Sequence, residues 1–349
     1  MRGVVFAGRR EIEFVEVPDP TPGPGEVILE VKASGMCGSD LKTYRDEGDG
    51  HTDPSLPGAA ERVIGGHEPC GVVVAVGSGV ADHEARVGDR VMVHHYWGCT
   101  VCDFCRSGWA QMCSEQTPLI YGGNAHGAHA PYLKVPARTL IPLPDELSFV
   151  AGSAISCGVG TAYAALMRVK PSGSDTIAIF GQGPVGLAGT MLAKAMGARV
   201  IALDISPDRL DHARRIGADE TINPADEDAV ARIRELTGGR GADLALETSG
   251  AESAHPAAVG CLKPWGSVVL VGVGGRFQLP HVTMIIGNQI SVIGSRTFSS
   301  IEQAECTRFV VEKGLDLDSL FTHQWSLDQA DEAYRLFDAQ TTGKGVIVF

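Results

Sequence analysis

The first 150 residues or so carry short apolar stretches separated by glycine and proline. Within residues 27–33, Val27, Leu29 and Val31 take every second position, which is the period of a β-strand. Residues 71–80 form a β-branched run closed by glycines. Strands are also predicted at residues 1–14 and 87–93. Many short strands between turn residues predict a compact, barrel-like β domain.

After about residue 157 the pattern changes to strands that alternate with helices. Residues 184–196 have apolar side chains at helical spacing, and Gly197 ends that predicted helix. Ser206 can cap the next helix, with Pro207 at its first position. This alternation predicts a doubly wound α/β fold of the Rossmann type, with helices on both faces of a parallel sheet. Its short apolar strands are predicted at residues 175–180, 199–204, 242–247 and 267–272.

The last fifty residues are mixed again, with a predicted amphipathic helix at 326–337 and a final strand at 346–349. A length of 349 residues fits two domains of roughly 150 residues each. We therefore expect the tail to return to the first domain. The predicted division is residues 1–157 with 294–349 in one domain, and residues 158–293 in the nucleotide-binding domain.

Charge and hydropathy narrow the possible partners. The formal net charge of −13 argues against a nucleic acid, because phosphate binding needs a basic face. No apolar run is expected to reach the roughly 20 residues that span a bilayer, so no membrane partner is expected. The N-terminus meets charge before a long apolar segment forms, which differs from a signal peptide. We expect a cytoplasmic protein.

Four of the nine cysteines crowd into fifteen residues: Cys99, Cys102, Cys105 and Cys113. In a reducing cytosol such thiols stay free or bind metal, and an odd number of cysteines fits a disulfide framework poorly. Four thiolates close a tetrahedral zinc site with no open position. The spacing therefore predicts a structural zinc lobe. The alternative is four unrelated buried thiols, which seldom cluster in this way.

Three further residues are candidates for a second metal site: Cys37 in GMCGSD, His67 in GGHEPCG and Cys157 in AISCGVGT. Alone, such a cysteine is usually a small buried hydrophobe, and such a histidine usually a satisfied hydrogen-bonding residue. Together, two thiolates and one imidazole leave zinc an open position, as in catalytic sites. Flanking glycines would let the backbone approach the ion.

On these motifs the chain resembles the zinc-dependent medium-chain dehydrogenase/reductase family, which includes alcohol, polyol and threonine dehydrogenases. The resemblance implies a GroES-like barrel beside the Rossmann domain, and two zinc ions per chain, one catalytic and one structural. It implies that Cys37, His67 and Cys157 hold the catalytic zinc, with Glu68 of the G-H-E motif beside the metal. Some branches of the family use glutamate as the third ligand, whereas this chain has Cys157-Gly158.

The resemblance also assigns roles around the zinc. Ser39 would accept the proton from the alcohol, and Glu68 would help to exchange water and substrate on the metal. Asp40 would orient His67, a role expected on physical grounds too. Lys42 stands where many members have a histidine that ends the proton relay, so the exit of the relay is open. Gly38 replaces a basic residue that touches the cofactor pyrophosphate in alcohol dehydrogenases.

A G-x-G-x-x-G loop follows the strand predicted to end at Phe180. Its glycines would let the backbone reach the cofactor pyrophosphate at the positive end of a helix. Asp204 ends the next strand, and a carboxylate there accepts ribose hydroxyls and repels a 2′-phosphate, which predicts NAD. Arg209 could instead hold that phosphate, but beside Asp204 we expect it to pack on the adenosine ribose. The loop residues expected to contact the cofactor are Gly181, Gly183, Pro184, Val185 and Gly186.

Further cofactor contacts are expected where later strands end, at Thr248 and at Val271 and Gly272. Ligands bind at that carboxyl edge of a parallel sheet. Lys344 resembles a basic residue that reaches the cofactor phosphates. A solvated surface lysine is the alternative.

The sequence predicts an oxidoreductase that transfers a hydride between an alcohol and NAD, giving a ketone or aldehyde. The cleft is expected to offer aromatic and polar surface together, which fits a secondary alcohol, a polyol or a sugar-like alcohol. The residues expected to line it are Tyr44, His95, Tyr96 and Trp97. His126 and His129 either bind substrate or belong to a loop packed beside the cleft.

Three rival functions fit the sequence less well. Glutathione-linked formaldehyde oxidation lacks obvious extra elements here, and a zinc-free quinone reductase conflicts with both zinc signatures. The third is a cofactor-binding protein that kept only the structural zinc. Because relatives of this family form dimers or tetramers, a homodimer or homotetramer is expected.

Overall fold

The computed structural model describes residues 1–47, 62–279, 281–340 and 342–349. The chain forms two compact units. Unit 1 consists of Met1–Cys157, Phe298–Gln340 and Lys344–Phe349, and unit 2 of Gly158–Thr297 and Thr341–Gly343. The chain therefore leaves unit 2 at residue 298 rather than at the predicted 294. The reason is that the last strand of unit 2 continues its pairing, with the Ser295 amide donating to the Leu270 carbonyl.

The N-terminal part of unit 1 is mostly β-structure, as the alternating pattern predicted. A β-hairpin begins the chain, with Arg2 opposite Glu16. The strands are β1 (Arg2–Gly8), β2 (Glu11–Glu16), β3 (Glu26–Gly35), β4 (Glu68–Val76), β5 (Arg90–Val93), β6 (Tyr96–Trp97), β7 (Leu119–Ile120), β8 (Tyr132–Pro136) and β9 (Leu140–Pro142). The short helices are α1 (Asp40–Tyr44), α2 (Asp103–Arg106) and α3 (Phe149–Ala154), with 3-10 turns at Ala110–Met112 and Ala137–Thr139 and a π turn at Ile155–Val159.

Unit 2 alternates strands and helices. The strands are β10 (Thr176–Phe180), β11 (Arg199–Leu203), β12 (Glu220–Ile222), β13 (Ala242–Glu247), β14 (Leu262–Leu270) and β15 (Ser291–Gly294). The helices are α4 (Gly160–Met167), α5 (Pro184–Ala195), α6 (Pro207–Arg215), α7 (Ala229–Leu236), α8 (Ala254–Gly260) and α9 (Thr283–Ile286). As predicted, Ser206 caps α6, because its side chain accepts from the Arg209 amide.

The strands of unit 2 form one parallel sheet in the order β12-β11-β10-β13-β14-β15. This is the doubly wound order, in which the chain starts at the centre of the sheet and winds outward in both directions. The central strand β10, TIAIF, is apolar after its first residue and its last four residues are buried, because helices cover both faces of such a sheet. The reversal of winding lies between β10 and β13, and ligands bind at that point.

The chain then returns to unit 1 with α10 (Ser300–Lys313), β16 (Phe321–Ser326), α11 (Ala330–Asp338) and β17 (Lys344–Val348), and 3-10 turns at Leu317–Leu320 and Leu327–Gln329. β17 pairs with β3, so the tail completes the sheet of unit 1 in the order β16-β17-β3-β4-β5-β9, with β8 also on β3. A buried aromatic cluster beneath the returning segment holds Phe6, Tyr44, Trp325, Tyr334 and Phe337.

One apolar helical run, Phe149–Met167, is 19 residues long and meets the length and composition of a membrane span. The sequence analysis expected no run of that length, so this expectation was wrong. The window is 89% buried inside the fold. A core helix passes the same test, so the run is weak evidence for a span.

Candidate active site

Unit 1 holds two groups of side chains able to bind a metal ion. The first is the four-cysteine lobe, whose sulfur atoms all lie within 4.8 Å of one another. The Sγ atoms of Cys99 and Cys105 are 3.9 Å apart. Two thiolates bound at about 2.3 Å to one tetrahedral ion lie about 3.8 Å apart, so the lobe fits zinc.

Backbone amides support the thiolate form in this lobe. The Cys102 amide donates to Cys99 Sγ at 3.3 Å, and the Cys105 amide donates to Cys102 Sγ at 3.5 Å. The hydrogen bond from Cys105 lowers the pKa of Cys102 to about 6. A thiolate is the form that binds a metal. The local chain conformation therefore favours the thiolate at Cys102, whereas burial raises the pKa of Cys105 to about 12.

The second group is Cys37, His67, Glu68 and Cys157, all buried, with ligand atoms within 4.8 Å of one another. The pairing of β3 with β4 explains part of this convergence. Gly35 lies opposite Glu68, so Cys37 follows the end of one strand and His67 precedes the start of its neighbour.

Cys157 completes the second group from a π turn at Ile155–Val159. Such turns recur at functional sites. The Sγ atoms of Cys37 and Cys157 are 4.0 Å apart, again close to the separation on one tetrahedral ion. The hydrogen bond from Cys157 and the neighbouring His67 hold the pKa of Cys37 well below its usual value. The donor set therefore fits zinc.

Asp40 fixes the orientation of His67. Its Oδ1 lies 2.9 Å from His67 Nδ1, and its Oδ2 accepts from the Cys37 amide at 2.9 Å. Burial alone would lower the pKa of His67, but the Asp40 carboxylate raises it well above the usual value. With Nδ1 held by the carboxylate, Nε2 is the nitrogen left to face the two thiols.

Ser39 lies beside this group, and Lys42 lies on the short helix α1 that follows Ser39. Ser39 is exposed, and its Oγ is 3.3 Å from His67 Nε2. Lys42 is exposed on α1, two residues after Asp40. A hydroxyl at this distance can exchange a proton with a group bound beside His67.

Glu68 and Lys344 form an ion pair that the sequence did not predict. The Lys344 Nζ donates to Glu68 Oε2 and, at 3.1 Å, to the Met36 carbonyl, and both side chains are buried. The expectation that Lys344 reaches the cofactor phosphates is therefore wrong for this structure, and so is the solvated surface lysine. Burial raises the pKa of Glu68 to about 7 although Lys344 lowers it.

Of the four residues predicted to line the cleft, some lie near His67 and others do not. His95 is buried with its ring 5.3 Å from that of His67, and the Tyr96 ring is 4.3 Å from His95. Trp97 instead lines a separate cavity of about 170 Å³ beside the cysteine lobe, which Tyr96 also lines. Tyr44 was assigned wrongly. It is fully buried in the aromatic cluster, because α1 turns its last residue toward the core.

The two histidines of the HGAHAPY stretch differ in burial. His126 is exposed, and its Nδ1 accepts from the Ile64 amide at 3.1 Å. His129 is completely buried and hydrogen bonded to Ser34 and Tyr334. The packed loop is therefore the correct alternative for His129.

In unit 2 the glycine loop connects β10 to α5. Gly181 has a φ of +87°, which favours glycine. A Cβ at Gly186 would lie 1.7 Å from the Gly181 carbonyl oxygen, so only glycine fits there. At Gly183 a Cβ would meet nothing within 4 Å, which leaves open space before Pro184 and Val185 at the start of the helix. This arrangement fits a pyrophosphate at a helix N-terminus.

Asp204 stands just after β11, where the prediction placed it. Its Oδ2 accepts from the Gln182 amide at 2.6 Å and its Oδ1 from the Ser206 amide at 2.9 Å. Arg209 lies 3.8 Å from the carboxylate and donates from Nε to the Thr342 carbonyl at 3.0 Å. The carboxylate thus also organises the glycine loop, which sequence reasoning missed.

Thr248, Val271 and Gly272 lie just beyond the carboxyl ends of β13 and β14. The Thr248 hydroxyl donates to the Phe180 and Gly181 carbonyls, at 2.9 and 3.0 Å. The Val271 and Gly272 amides donate to the carbonyl of the buried residue Glu247. The carboxylate of Glu247 accepts from the amides of Ser249 and Gly250. Sequence reasoning missed Glu247, although its position at the end of a strand was a signal.

Comparisons with known proteins agree with this geometry. Residues 23–145 match the alcohol dehydrogenase GroES-like domain, and residues 184–312 match the zinc-binding dehydrogenase domain. The zinc-type alcohol dehydrogenase-like protein YphC of Escherichia coli K12 is 38% identical over 100% of this chain and 99% of its own length. The chain belongs to the zinc-dependent medium-chain dehydrogenase family.

Other members of this family are similar over nearly the whole chain. Sorbitol dehydrogenase of Bacillus subtilis is 33% identical, covering 95% of this chain and 92% of its own. L-threonine 3-dehydrogenase of Pyrococcus abyssi is 35% identical, covering 96% and 94%.

Two solved structures superpose closely. Alcohol dehydrogenase TADH of Thermus sp. ATN1 has a TM-score of 0.88 at 29% identity, covering 100% of this chain and 99% of its own. An alcohol dehydrogenase of E. coli CFT073 in complex with NADH has a TM-score of 0.87 at 26% identity, with the same coverage. The predicted fold class is confirmed, and the chain is an NAD-dependent alcohol oxidoreductase.

Proposed function

We propose that this dehydrogenase oxidises a polar secondary alcohol, a polyol or a sugar-like alcohol with NAD, using a zinc ion held by Cys37, His67 and Cys157. The observation that carries the proposal is the buried group of two thiols, one imidazole and one carboxylate within 4.8 Å of one another. Three neutral or anionic ligands leave zinc one position for substrate, which is the arrangement of catalytic sites.

Each residue around the zinc has a separate task in the proposed reaction. A zinc ion bound here would supply Lewis-acid chemistry, by polarising the substrate oxygen and lowering the pKa of its proton. Ser39 accepts that proton, since its hydroxyl is within reach of His67 Nε2 and exposed to solvent. Lys42 is exposed in the middle of helix α1, which begins directly after Ser39, and we propose that the proton leaves there. Asp40 keeps Nε2 of His67 aimed at the ion.

Glu68 has a different role. Its carboxylate is one of the four groups within reach of a metal, yet it is paired with Lys344. With a pKa of about 7 it can change charge near neutral pH. We propose that Glu68 would assist the exchange of water and substrate on a zinc ion held by Cys37, His67 and Cys157, because its carboxylate is within reach of such an ion and could leave Lys344 for it. The buried lysine then compensates for its negative charge whenever the carboxylate withdraws.

For the cofactor we propose NAD, bound along the carboxyl edge of the unit 2 sheet. The pyrophosphate would lie on the loop from Gly181 to Gly186, in the open space at Gly183. Asp204 would accept the ribose hydroxyls and repel a 2′-phosphate. Thr248, Val271 and Gly272 would border the nicotinamide. The cofactor carries the redox chemistry, and the protein supplies alignment and charge.

The substrate class rests on the neighbours of His67. His95 and Tyr96 place ring surface and polar edges next to the proposed zinc. Sorbitol and L-threonine, the substrates named for two relatives, carry a hydroxyl group next to other polar groups. A polar alcohol of this kind can use both the aromatic faces and the polar edges, whereas a plain alkyl chain cannot.

We further propose a second, structural zinc in the lobe of Cys99, Cys102, Cys105 and Cys113, and a homodimer or homotetramer in the cytoplasm. Four thiols leave no open position for chemistry. A cofactor-binding protein that has lost catalysis would need only this ion. Zinc content therefore separates the two functions: about two ions per chain for the enzyme, and one for the binding protein.

The proposal is tested with Cys37→Ala. We expect zinc to fall from about two ions per chain to about one, and turnover to disappear, while NAD binding persists. Cys306→Ala is the control, because Cys306 is a buried thiol of the same unit outside both groups. A Cys37→Ala protein that keeps both zinc ions or a tenth of wild-type kcat would contradict the proposal.

The substrate class is tested with a panel of polyols, amino alcohols and simple alkyl alcohols, by following NADH production. We expect kcat/KM to be at least roughly tenfold higher for the best polar secondary alcohol than for a primary alkyl alcohol of similar size. Preference for the alkyl alcohol would overturn the substrate class but leave the zinc assignment standing.

A further inference from the structure

A chain of buried hydrogen bonds leads from Asp40 into the interior of unit 1. The Tyr334 hydroxyl donates to Asp40 Oδ2 at 3.0 Å. His129 Nε2 lies 2.6 Å from the Tyr334 oxygen, and Ser34 Oγ lies 2.9 Å from His129 Nδ1. All four side chains are buried. Tyr334 is 294 residues from Asp40 in sequence, so helix α11 of the returning segment is joined to the region before β4.

The direction of these hydrogen bonds follows from chemistry. An ionised carboxylate only accepts, so the Tyr334 hydroxyl donates to Asp40. The tyrosine oxygen then accepts from His129 Nε2. Burial lowers the pKa of His129 to about 4, so the ring is neutral and its Nδ1 accepts from Ser34. The chain therefore runs one way, from Ser34 to Asp40, and every polar atom in it has a partner.

The same chain also touches the backbone next to His67. The His129 amide donates to the Gly65 carbonyl at 2.9 Å, and the Ala128 amide donates to the Gly66 carbonyl at 2.8 Å. A Cβ at Gly66 would lie 2.5 Å from His129 Nδ1 and 2.7 Å from Ser34 Oγ. His129 and Ser34 thus pack directly against the residue before His67. The zinc ligand is held on two sides, at its side chain through Asp40 and at its backbone through Gly66.

We propose that Tyr334 and His129 are positioning residues for the metal ligand His67, and that they act through Asp40 and the Gly66 backbone. The inference rests on the proposed function in one respect, namely that a zinc ion binds at Cys37, His67 and Cys157. Partners beyond the direct ligands orient a metal-bound histidine and raise its affinity for the ion. Neither residue touches substrate or cofactor in this role.

A purely packing role for Tyr334 is the alternative, since its ring lies in the aromatic cluster, 4.8 Å from Phe6 and 5.7 Å from Tyr44. Tyr44 provides the matched control. It is a tyrosine of the same cluster and is also fully buried, but its hydroxyl has no hydrogen-bond partner among the described residues. Replacing either tyrosine with phenylalanine removes the hydroxyl and keeps the ring. The packing of the aromatic cluster should therefore change to the same extent in the two variants.

The experiment compares Tyr334→Phe with Tyr44→Phe in the zinc-loaded full chain. Zinc release to a chromophoric chelator is followed in time, and the lobe zinc, whose four cysteines neither variant changes, is the internal reference. We expect the zinc at Cys37, His67 and Cys157 to be released roughly tenfold faster from Tyr334→Phe than from the wild type. Tenfold is the smallest effect usual for residues that orient a metal ligand without binding the metal. Tyr44→Phe should release this zinc at the wild-type rate. Cobalt substituted for that zinc should show a shifted visible absorption band in Tyr334→Phe alone.

Equal release rates and equal cobalt spectra in the two variants would overturn the inference. A wild type that holds one zinc per chain would instead overturn the proposed function, so the two failures are distinguishable. If Tyr334→Phe does not fold, His129→Gln and His129→Phe replace it. The glutamine keeps a donor near the Tyr334 oxygen, so it should retain zinc better than the phenylalanine. Equal zinc loss in both would also count against the inference.

Discussion

Asp204 shows how one carboxylate can serve both the fold and the cofactor. Two of its lone-pair positions are taken by the amides of Gln182 and Ser206. An ionised carboxylate offers about four such positions, so two remain for ribose hydroxyls. The residue is therefore needed for the shape of the glycine loop before any cofactor arrives. Truncation to alanine would mix a loop defect with a change in specificity.

Asp204→Asn separates the two effects, because the amide oxygen still accepts one backbone hydrogen bond while the charge is lost. We expect kcat/KM for NAD to fall about tenfold or more, since each charged hydrogen bond contributes roughly 1.5 to 3 kcal/mol. We expect kcat/KM for NADP to rise, because the repulsion is removed and Arg209 lies 3.8 Å away. Both cofactors are measured at one salt concentration.

Asp208→Asn is the control, since Asp208 lies on the same helix but is exposed. It should leave the ratio of the two kcat/KM values unchanged. A wild type that already prefers NADP would show that Arg209, and not Asp204, governs cofactor choice.

Single residues were predictable where the signal was local. The four cysteines of the lobe fall within fifteen residues, so spacing alone indicated a metal group. The partners of Glu68 and Asp40 were not predictable, because Lys344 and Tyr334 lie 276 and 294 residues away. Pairing over such a distance is created by the antiparallel contact of β17 with β3 and by the packing of α11, and neither leaves a pattern in the sequence.

At the scale of elements, the lobe is a short loop and one helical turn with little core of its own. Helix α2 has four residues, none of them buried. A metal ion would therefore supply much of the folding free energy of this segment. We expect Cys102→Ser to lower the melting temperature and the zinc content by one ion per chain, while the folded fraction keeps kcat within about threefold.

Ser107→Ala, in the same lobe but without a sulfur ligand, is the control for that variant. Calorimetry, metal analysis and kcat per folded molecule are measured together. Equally heat-stable Cys102→Ser protein that has lost only kcat would mean that the lobe takes part in the reaction.

The segment between β5 and β6 carries a buried histidine that makes stability depend on pH. His94 packs edge-on against Phe298 at 5.7 Å, and burial lowers its pKa to about 4. In the unfolded chain the pKa is about 6.5, so below that pH the unfolded state binds more protons and is favoured. The contribution to stability is complete above pH 6.5 and is lost progressively as the pH falls toward 4.

His94→Phe keeps the ring and removes the titration. Between about pH 7.5 and pH 5, the wild type should lose about 2 kcal/mol more unfolding free energy than this variant. Urea denaturation of both proteins at the two pH values gives the difference directly. His83→Phe is the control, since His83 is exposed. Identical pH dependence in wild type and His94→Phe would mean that folding does not change the pKa of His94.

Regular elements were predicted well where the hydrophobic period continued for several residues. The helix expected at 184–196 is α5, Pro184–Ala195, and the strand expected at 242–247 is β13. The first residues of an element were predicted less well. The helix expected at 326–337 begins instead with a 3-10 turn at Leu327–Gln329 before α11, because the Ser326 side chain caps the first turn separately.

At the scale of the whole molecule, the chain exposes large apolar side chains unevenly. Within residues 265–286 of unit 2, the exposed ones are Trp265, Val273, Phe277, Val282 and Ile286. This segment precedes β15, an edge strand whose one partner in the described residues is β14. Exposed apolar groups beside an unpaired strand edge are typical of a surface that another chain covers. If the proposed homo-oligomer forms, we therefore expect its interface to lie on unit 2.

The double variant Val282→Lys/Ile286→Lys tests that interface. The two side chains are 64% and 65% exposed, so the changes should cost an isolated chain little stability. In an oligomer that buries them, each lysine would lose its hydration without gaining a partner, and association should weaken by at least tenfold. Sedimentation velocity should give a multiple of 36.7 kDa for the wild type and a shift toward that mass for the variant.

Val87→Lys, at 67% exposure in unit 1, is the matched control and should sediment like the wild type. A wild type that sediments as a single chain would refute the oligomer, whereas an unchanged double variant would move the interface elsewhere on the molecule.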